Sequence, residues 1–465
     1  MNKFPFVVRE ISLPVEELLD ALLHLAPSRR LSILDSCGAR PPDASLLIAG
    51  FDPFEIIEAR DRELHISRPR EGTNMVTRGD VLAFLDARLE SHRVSSQSEI
   101  PVAGACIASL SYDLARSFLR LRSTRPPSSF IEPCAVLAFY DTLVVHDYHQ
   151  GLTRLVSIAG DERVDEFQKS ICHDRQTSQA PNLQPYKATS SFTRDEYVRA
   201  VGRIKEHIAA GDIYQANLTQ QLTVALDDRF RPEQIFSRLR REHPASFAAF
   251  IRRSEDAVVS ASPERFLRVE AGEQVRAVEA WPIKGTRPRG ADAEEDARLR
   301  RELLASEKDR AENIMIVDLL RNDLGRVCRY GSVTVPELFT VQEHPTLFHL
   351  VSRVRGLLRE EVKMSTLLRA AFPCGSITGA PKLRAMEILD EIERTPRGLS
   401  MGAIGYFSFD GNADLSVAIR TMTVRGHTAR FNVGGGIVAD SQPEAEYEES
   451  LTKARALLRA LNAEL

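Results

Sequence analysis

The last third of the chain sets strand-like runs side by side with no helical segment between them. GAIGYFSFDGNADLSVAIRTMTV, Gly402 to Val424, and HTARFNVGGGIVAD, His427 to Asp440, read as neighbouring strands joined by tight turns. Upstream, ASLLIAG, AVLAFYDTLVVHDY, NLTQQLTVAL, FAAFIRR and DAVVSASPERFLRVE also read as strands. A parallel sheet needs a long crossover, usually helical, between consecutive strands, and that alternation is missing here. The pattern therefore predicts an α+β fold, not a doubly wound sheet.

Helices are predicted at GDVLAFLDARLESH and at SFTRDEYVRAVGRIKEHIAAGD, the second capped at its start and ending near Gly211. A long helix is expected within Asp292 to Leu320 and another from about Glu444 to Leu461. Few aliphatics and many turn formers mark residues 168–191 as a linker. It separates an N-terminal region, 1–167, from a second region, 192–465.

With 61 basic against 65 acidic residues, a formal charge of −4 and no basic block, a nucleic-acid partner is not expected. Small anionic ligands stay open. Six dispersed cysteines form neither a close metal-binding pair nor a disulfide framework, which suits a reducing cytoplasm. The first residues, MNKFPFVVREISLPVEELLD, lack a signal peptide's apolar run, and no segment has the length and apolarity of a membrane span. A soluble chain with no membrane partner is expected.

PIKGTRPRG, Pro282 to Gly290, places Lys284 in a turn-rich segment that lacks the spacing of a phosphate loop. A lysine withdrawn from water gives up its proton more readily and can act as an amine nucleophile; a surface turn or a structural ion pair explains it equally. Asp309 and Glu312 are three residues apart, as are Glu446 and Glu449, so each pair shares a helix face. Two such faces could hold a hard cation such as Mg²⁺, or be solvated surfaces paired with Lys308, Arg310 or Lys453.

Gly434, Gly435 and Gly436 either let backbone N–H groups approach a carboxylate or make a tight strand connection. Arg420 could hold a carboxylate through two hydrogen bonds, or form an ion pair at a sheet edge. Glu264 is a proton donor if buried and a surface acid if not, and His349 is either a proton carrier or a structural residue.

Taken together, SPERF (262–266), PIKGTRPRG (282–290), KDRAENIMIVDLLRNDLGRV (308–327), HLVS (349–352), ITGAPK (377–382), AIRT (418–421) and GGGIVADSQPEAEYEE (434–449) resemble, in order, the motifs of the chorismate-utilising enzymes. Within them the resemblance is to the aminodeoxychorismate synthase component I family. It covers most of Phe192 to Leu461. It implies two stacked antiparallel β-sheets flanked by helices, with the N-terminal region packed on the catalytic one.

The resemblance also implies roles. Glu312 and Glu449 would ligate Mg²⁺, with Asp309 and Glu446 associated through water or substrate. Tyr406 and Arg420 would contact the enolpyruvyl carboxylate, Gly434, Gly435 and Gly436 the ring carboxylate, and Thr378 another part of the substrate. Lys284 would add to chorismate at C2 while Glu264 protonates the departing C4 hydroxyl. Ammonia would then attack C4 and expel the lysine, giving 4-amino-4-deoxychorismate for 4-aminobenzoate and folate synthesis. His349 would orient the substrate.

Relatives that add water carry a lysine where Gln215 stands, and an amide is no comparable base. Anthranilate-forming relatives carry alanine at Lys284. The chain shows no glutaminase region, so a separate glutaminase component is expected to supply ammonia. ILDSCG, Ile33 to Gly38, resembles a tryptophan-binding or structural pocket, with Ser36 in it. Trp281 stands where relatives often have arginine. The alternatives are anthranilate synthase component I and a non-catalytic chorismate-binding regulator.

Overall fold

The computed structural model describes residues 6–39, 45–95, 102–119, 121, 132–172, 185–272, 275–344 and 347–465. Half of the segment read as a linker, 173–184, therefore lies outside the described residues, and its described ends run into the helix Asp161–Ile171 and the strand Tyr186–Ser190. Among the described residues the strands form two sheets, one of 13 and one of 12 strands. Nearly every pairing is antiparallel. One exception is the parallel pairing of Tyr186–Ser190 with Ala463–Glu464.

The two sheets stack, and period-two alternation assigns their faces. Ile48 and Val258 of the first sheet meet Ile107 and Ile404 of the second in one apolar cluster. The other face of the second sheet packs on helices Val81–Ser91, Glu307–Gly325 and Met364–Ala371. The other face of the first packs on Val15–Leu23, Pro232–Glu242 and Pro443–Leu461. Burying both faces of each sheet is what an α+β layer architecture requires.

Each sheet joins strands of the first region, 1–167, to strands of the second, 192–465. Ser32–Asp35 pairs with Phe247–Arg252, and Ala105–Leu110 pairs with Ala403–Ser408. Among the described residues no helix is long and apolar enough to cross a membrane.

Several runs divide where sequence periodicity showed one element. AVLAFYDTLVVHDY is two strands, Ala135–Tyr140 and Thr142–Asp147, in different sheets. DAVVSASPERFLRVE likewise divides into Ala257–Ser262 and Arg265–Ala271, and the chain changes sheets at Pro263 and Glu264. Proline has no N–H to give the ladder, which ends the first strand there. Ala413–Val417 and Thr421–Arg425 also lie in different sheets, joined through Arg420 at φ +48°.

The long helix expected within Asp292 to Leu320 is two helices, Ala293–Ala305 and Glu307–Gly325. Ser306 separates them, and its hydroxyl accepts the Asp309 N–H at 3.3 Å as the cap of the second. PIKGTRPRG is a strand over Ile283–Pro288, not a turn, with a bulge between Ile283 and Thr286. Gly434–Gly436 lies inside the strand Thr428–Ile437 instead of connecting two strands.

Candidate active site

Two of the sheet changes, at Glu264 and at Arg420, open onto one cavity of about 720 Å³. The two crossings are stitched together. Ser262 Oγ donates to the Val417 carbonyl at 2.6 Å, the Val417 N–H donates to the Glu264 carbonyl at 3.0 Å, and the Ala261 N–H donates to the Arg420 carbonyl at 3.0 Å.

Glu264 is 5 % exposed, and its Oε1 has no hydrogen-bond partner. Burial pushes its carboxyl up to about 7, opposed by a hydrogen bond from Ser376 and by the charge of Lys284. Near neutrality a large share of the group carries its proton. A protonated acid facing a cavity is suited to donate to a leaving oxygen.

Lys284 reaches the same cavity from the bulged strand. Gly285, at φ +82°, lies so close to the next helix that a Cβ would meet Asp309 and Leu303 at 2.9 Å. This fixes the bulge that aims Lys284 inward. Its Nζ sits 3.7 Å from Glu312 Oε2. Across the cavity, a Cβ on Gly436 would come within 3.6 Å of that Nζ and 2.4 Å of Gln215 Nε2. Gln215 is fully buried, and neither amide atom has a partner among the described residues.

The guanidinium of Arg420 lies largely buried, and burial alone lowers its pKa from the ordinary value. No described carboxylate balances it, so an anionic ligand would supply its missing partner. His349 is held down to about 3 by burial, His344 and Arg420, and is therefore a neutral imidazole at physiological pH. Its Nδ1 lies 3.0 Å from Thr286 Oγ1. His349 can orient a ligand, but it holds no ready proton to give.

Asp309 and Glu312 from one helix, and Glu446 and Glu449 from the other, all line the cavity. Asp309 pairs with Arg287 at 3.3 Å, Glu312 with Lys284 and with Lys308 at 4.0 Å, and Glu449 with Lys453 at 2.8 Å. Glu446 accepts from Ser441 Oγ at 2.6 Å, and burial with the charge of Glu449 raises its pKa. Four oxygen donors of this kind fit the chemistry of Mg²⁺. Among the described residues no three acidic, histidine or cysteine side chains converge tightly enough to hold a metal. A cation here would complete its shell with ligand or water oxygens.

The glycine strand forms the floor. A Cβ on Gly434 would fall 1.8 Å from the Leu218 carbonyl oxygen, and one on Gly435 would face Glu446 Oε2 at 3.2 Å. Gly434 and Gly436 border the cavity.

Two residues expected to contact substrate do not line this cavity. Tyr406 lines a second cavity of about 150 Å³, because strand alternation turns it with Ile404 toward the gap between the sheets. Thr378 is fully buried, and its hydroxyl is spent on the carbonyls of Cys374 and Gly375 at 3.0 and 3.2 Å. Ser376 and Ile377 take its place at the cavity wall. Ser36 lies in the second cavity, 2 % exposed with its Oγ unpartnered, beside the Arg265–Asp414 ion pair at 2.9 Å.

Trp281 is a core aromatic between two guanidiniums, Arg265 at 5.7 Å and Arg353 at 5.0 Å. Sequence reasoning passed over Ser376, Asn217 and Asn432, all on the cavity wall. Ser376 directly precedes the ITGAPK motif, and Asn217 lies in the same run as Gln215, so position beside a motif was the available signal. Asn217 keeps its Nδ2 unpartnered.

The sequence profile of the chorismate binding enzymes matches residues 34–459. The chain is 40% identical over 441 residues to aminodeoxychorismate synthase component 1 of Klebsiella aerogenes, covering 91% of this chain and 94% of that one. It is 34% identical to anthranilate synthase component 1 of Bacillus pumilus, covering 89% and 83%. The crystal structure of anthranilate synthase component I from Streptococcus pneumoniae superposes with a TM-score of 0.79 at 28% identity, covering 90% of this chain and 93% of that one.

Proposed function

The chain belongs to the chorismate binding enzyme family, and from that premise we propose that it converts chorismate and ammonia into 4-amino-4-deoxychorismate. The observation that carries the reading is Lys284, directed into a cavity that also holds a carboxyl poised near neutrality, Glu264. The higher identity to the aminodeoxychorismate relative than to the anthranilate relative points the same way.

Chorismate carries two carboxylates, and the cavity offers matching positive groups. Arg420, with no carboxylate of its own, takes the enolpyruvyl carboxylate. The backbone of Gly434–Gly436 would receive the ring carboxylate. Asp309, Glu312, Glu446 and Glu449 would hold Mg²⁺, whose positive charge would offset the negative charge gathered there.

In the first step the deprotonated amine of Lys284 forms a C–N bond at C2. Both ring double bonds shift, C1=C2 to C1=C6 and C5=C6 to C4=C5, the C4–O bond breaks, and the proton of Glu264 leaves with the hydroxyl as water. In the second step ammonia bonds to C4, both double bonds shift back, the C2–N bond breaks to free the Lys284 amine, and a proton of the new ammonium returns to Glu264. The enolpyruvyl group stays on the ring. Gln215, an amide, has no basic lone pair to activate water at that wall.

The relatives' designation as component 1 supports a partner component. We assign it the glutaminase role of delivering ammonia, and place the pair in the cytoplasm, where six free thiols are stable. We assign the second cavity, around Ser36, to an amino-acid ligand such as tryptophan, with Arg265 and Asp414 as counter-charges.

Incubating the purified chain with chorismate, Mg²⁺ and ammonium, then resolving products by mass, tests the assignment. The expected product is 4-amino-4-deoxychorismate. Anthranilate with pyruvate in its place would mark the second reading, which the 34% identity to an anthranilate synthase component motivates.

A further inference from the structure

Behind the wall of the cavity lies a charge pair that no step above uses. Arg397 is 2 % exposed and Glu393 4 %, and they meet with Nη2 to Oε1 at 2.7 Å and Nε to Oε2 at 3.0 Å. Burying two charges is unfavourable unless their remaining donors and acceptors are satisfied.

Here those donors and acceptors are spent on backbone of the cavity wall. Arg397 Nη1 donates to the Ile377 carbonyl at 2.8 Å and Nη2 to the Asn217 carbonyl at 2.5 Å. Glu393 Oε1 accepts the Thr219 N–H and hydroxyl, each at 2.9 Å. Thr219 Oγ1 in turn accepts from Asn432 Nδ2 at 3.2 Å. Ile377, Asn217 and Asn432 all border the cavity, and they come from three separate segments. One planar guanidinium and one carboxylate thus set the spacing of the turn Gly375–Ile377, the strand Gln215–Ala225 and the glycine strand.

The other side of Arg397 is tied to the N-terminal half. Its guanidinium stacks 4.4 Å over the Tyr112 ring, and the Gly398 N–H donates to Asp113 Oδ2 at 2.8 Å. Gly398 itself sits at φ +58°, where a Cβ would meet the Glu132 carboxylate at 2.9 Å. The segment from Glu393 to Gly398 therefore connects residues near 112 and 132 to the substrate wall.

We propose that Arg397 and Glu393 are positioning residues: touching no substrate, they hold the carbonyls of Asn217 and Ile377 and the Asn432 amide in the register that accepts chorismate. The inference rests on the chorismate reading of the cavity. A pair that merely stabilised the fold would affect melting but not the affinity of the molecules that remain folded.

The test is calorimetric titration of chorismate with Mg²⁺ present, on the parent, Arg397→Lys and Glu393→Gln, with Tm measured for each. Lysine keeps the charge but cannot span both carbonyls, and glutamine keeps the acceptor for Thr219 but not the charge. Each variant is expected to bind chorismate about tenfold more weakly, a difference of about 1.4 kcal/mol. Arg397→Met would strand a buried carboxylate, so the two conservative variants keep the test informative if it fails to fold. Variants with lowered Tm and parental chorismate affinity would overturn the positioning role. A parent that binds no chorismate would overturn the reading of the cavity, and the role with it.

Discussion

Lys284 Nζ lies 3.7 Å from Glu312 Oε2, so the nucleophile proposed for the reaction and a carboxylate proposed for the cation draw on the same charge. A cation held by Glu312 would compete with the Lys284 side chain for that carboxylate.

Competition for one carboxylate has a measurable consequence. Replacing Lys284 with methionine removes a positive charge from Glu312, and Mg²⁺ is expected to bind about tenfold more tightly, by calorimetry without substrate. Glu312→Gln should weaken it by at least as much. Equal Mg²⁺ affinity in the parent and both variants would separate Glu312 from the cation.

Glu264 sets the pH dependence. Its carboxyl is pushed up to about 7, and the protonated form is the donor, so its contribution to the rate is present below that pH and lost above it. The rate should fall about tenfold per pH unit on the alkaline side. Glu264→Gln should lose about 10²–10⁴-fold in kcat together with this limb of the profile. A pH–rate profile for each protein checks both.

The glycine strand separates packing from chemistry. A methyl on Gly434 would fall 1.8 Å from the Leu218 carbonyl, which must force the two strands apart. Gly434→Ala should lower stability by about 1–3 kcal/mol in denaturant titration. A methyl on Gly436 meets the end of Gln215 first and then approaches Lys284, so Gly436→Ala should keep more of the stability and lose activity.

The outline of this fold was legible because its strands come in runs without helical crossovers. The points where a run changes sheets were not. Periodicity continues across Asp141 and across Pro263, since apolar residues are needed on both sides of each crossing. Yet Glu264 and Arg420 owe their place at the cavity to such crossings. The acidic helix faces were readable from spacing and do face one cavity, although one predicted helix breaks at Ser306.

Tyr406 and Thr378 show what spacing leaves out. Thr378 lies within ITGAPK and Tyr406 within the strand run Gly402 to Val424, but local carbonyls took up the hydroxyl of the first, and strand alternation turned the second to another cavity. Arg397 and Glu393 could not be read from the sequence because their partners are backbone groups far away in the chain.

In the proposed reaction the amine of Lys284 becomes bonded to the substrate. Mixing the protein with chorismate and Mg²⁺ without ammonia, quenching rapidly in acid and mapping peptides by mass spectrometry tests it most directly. A mass increase on Lys284 equal to chorismate less water is expected, lost when ammonium is added. An unmodified Lys284 at every quench time, with full product formation once ammonium is supplied, would contradict it.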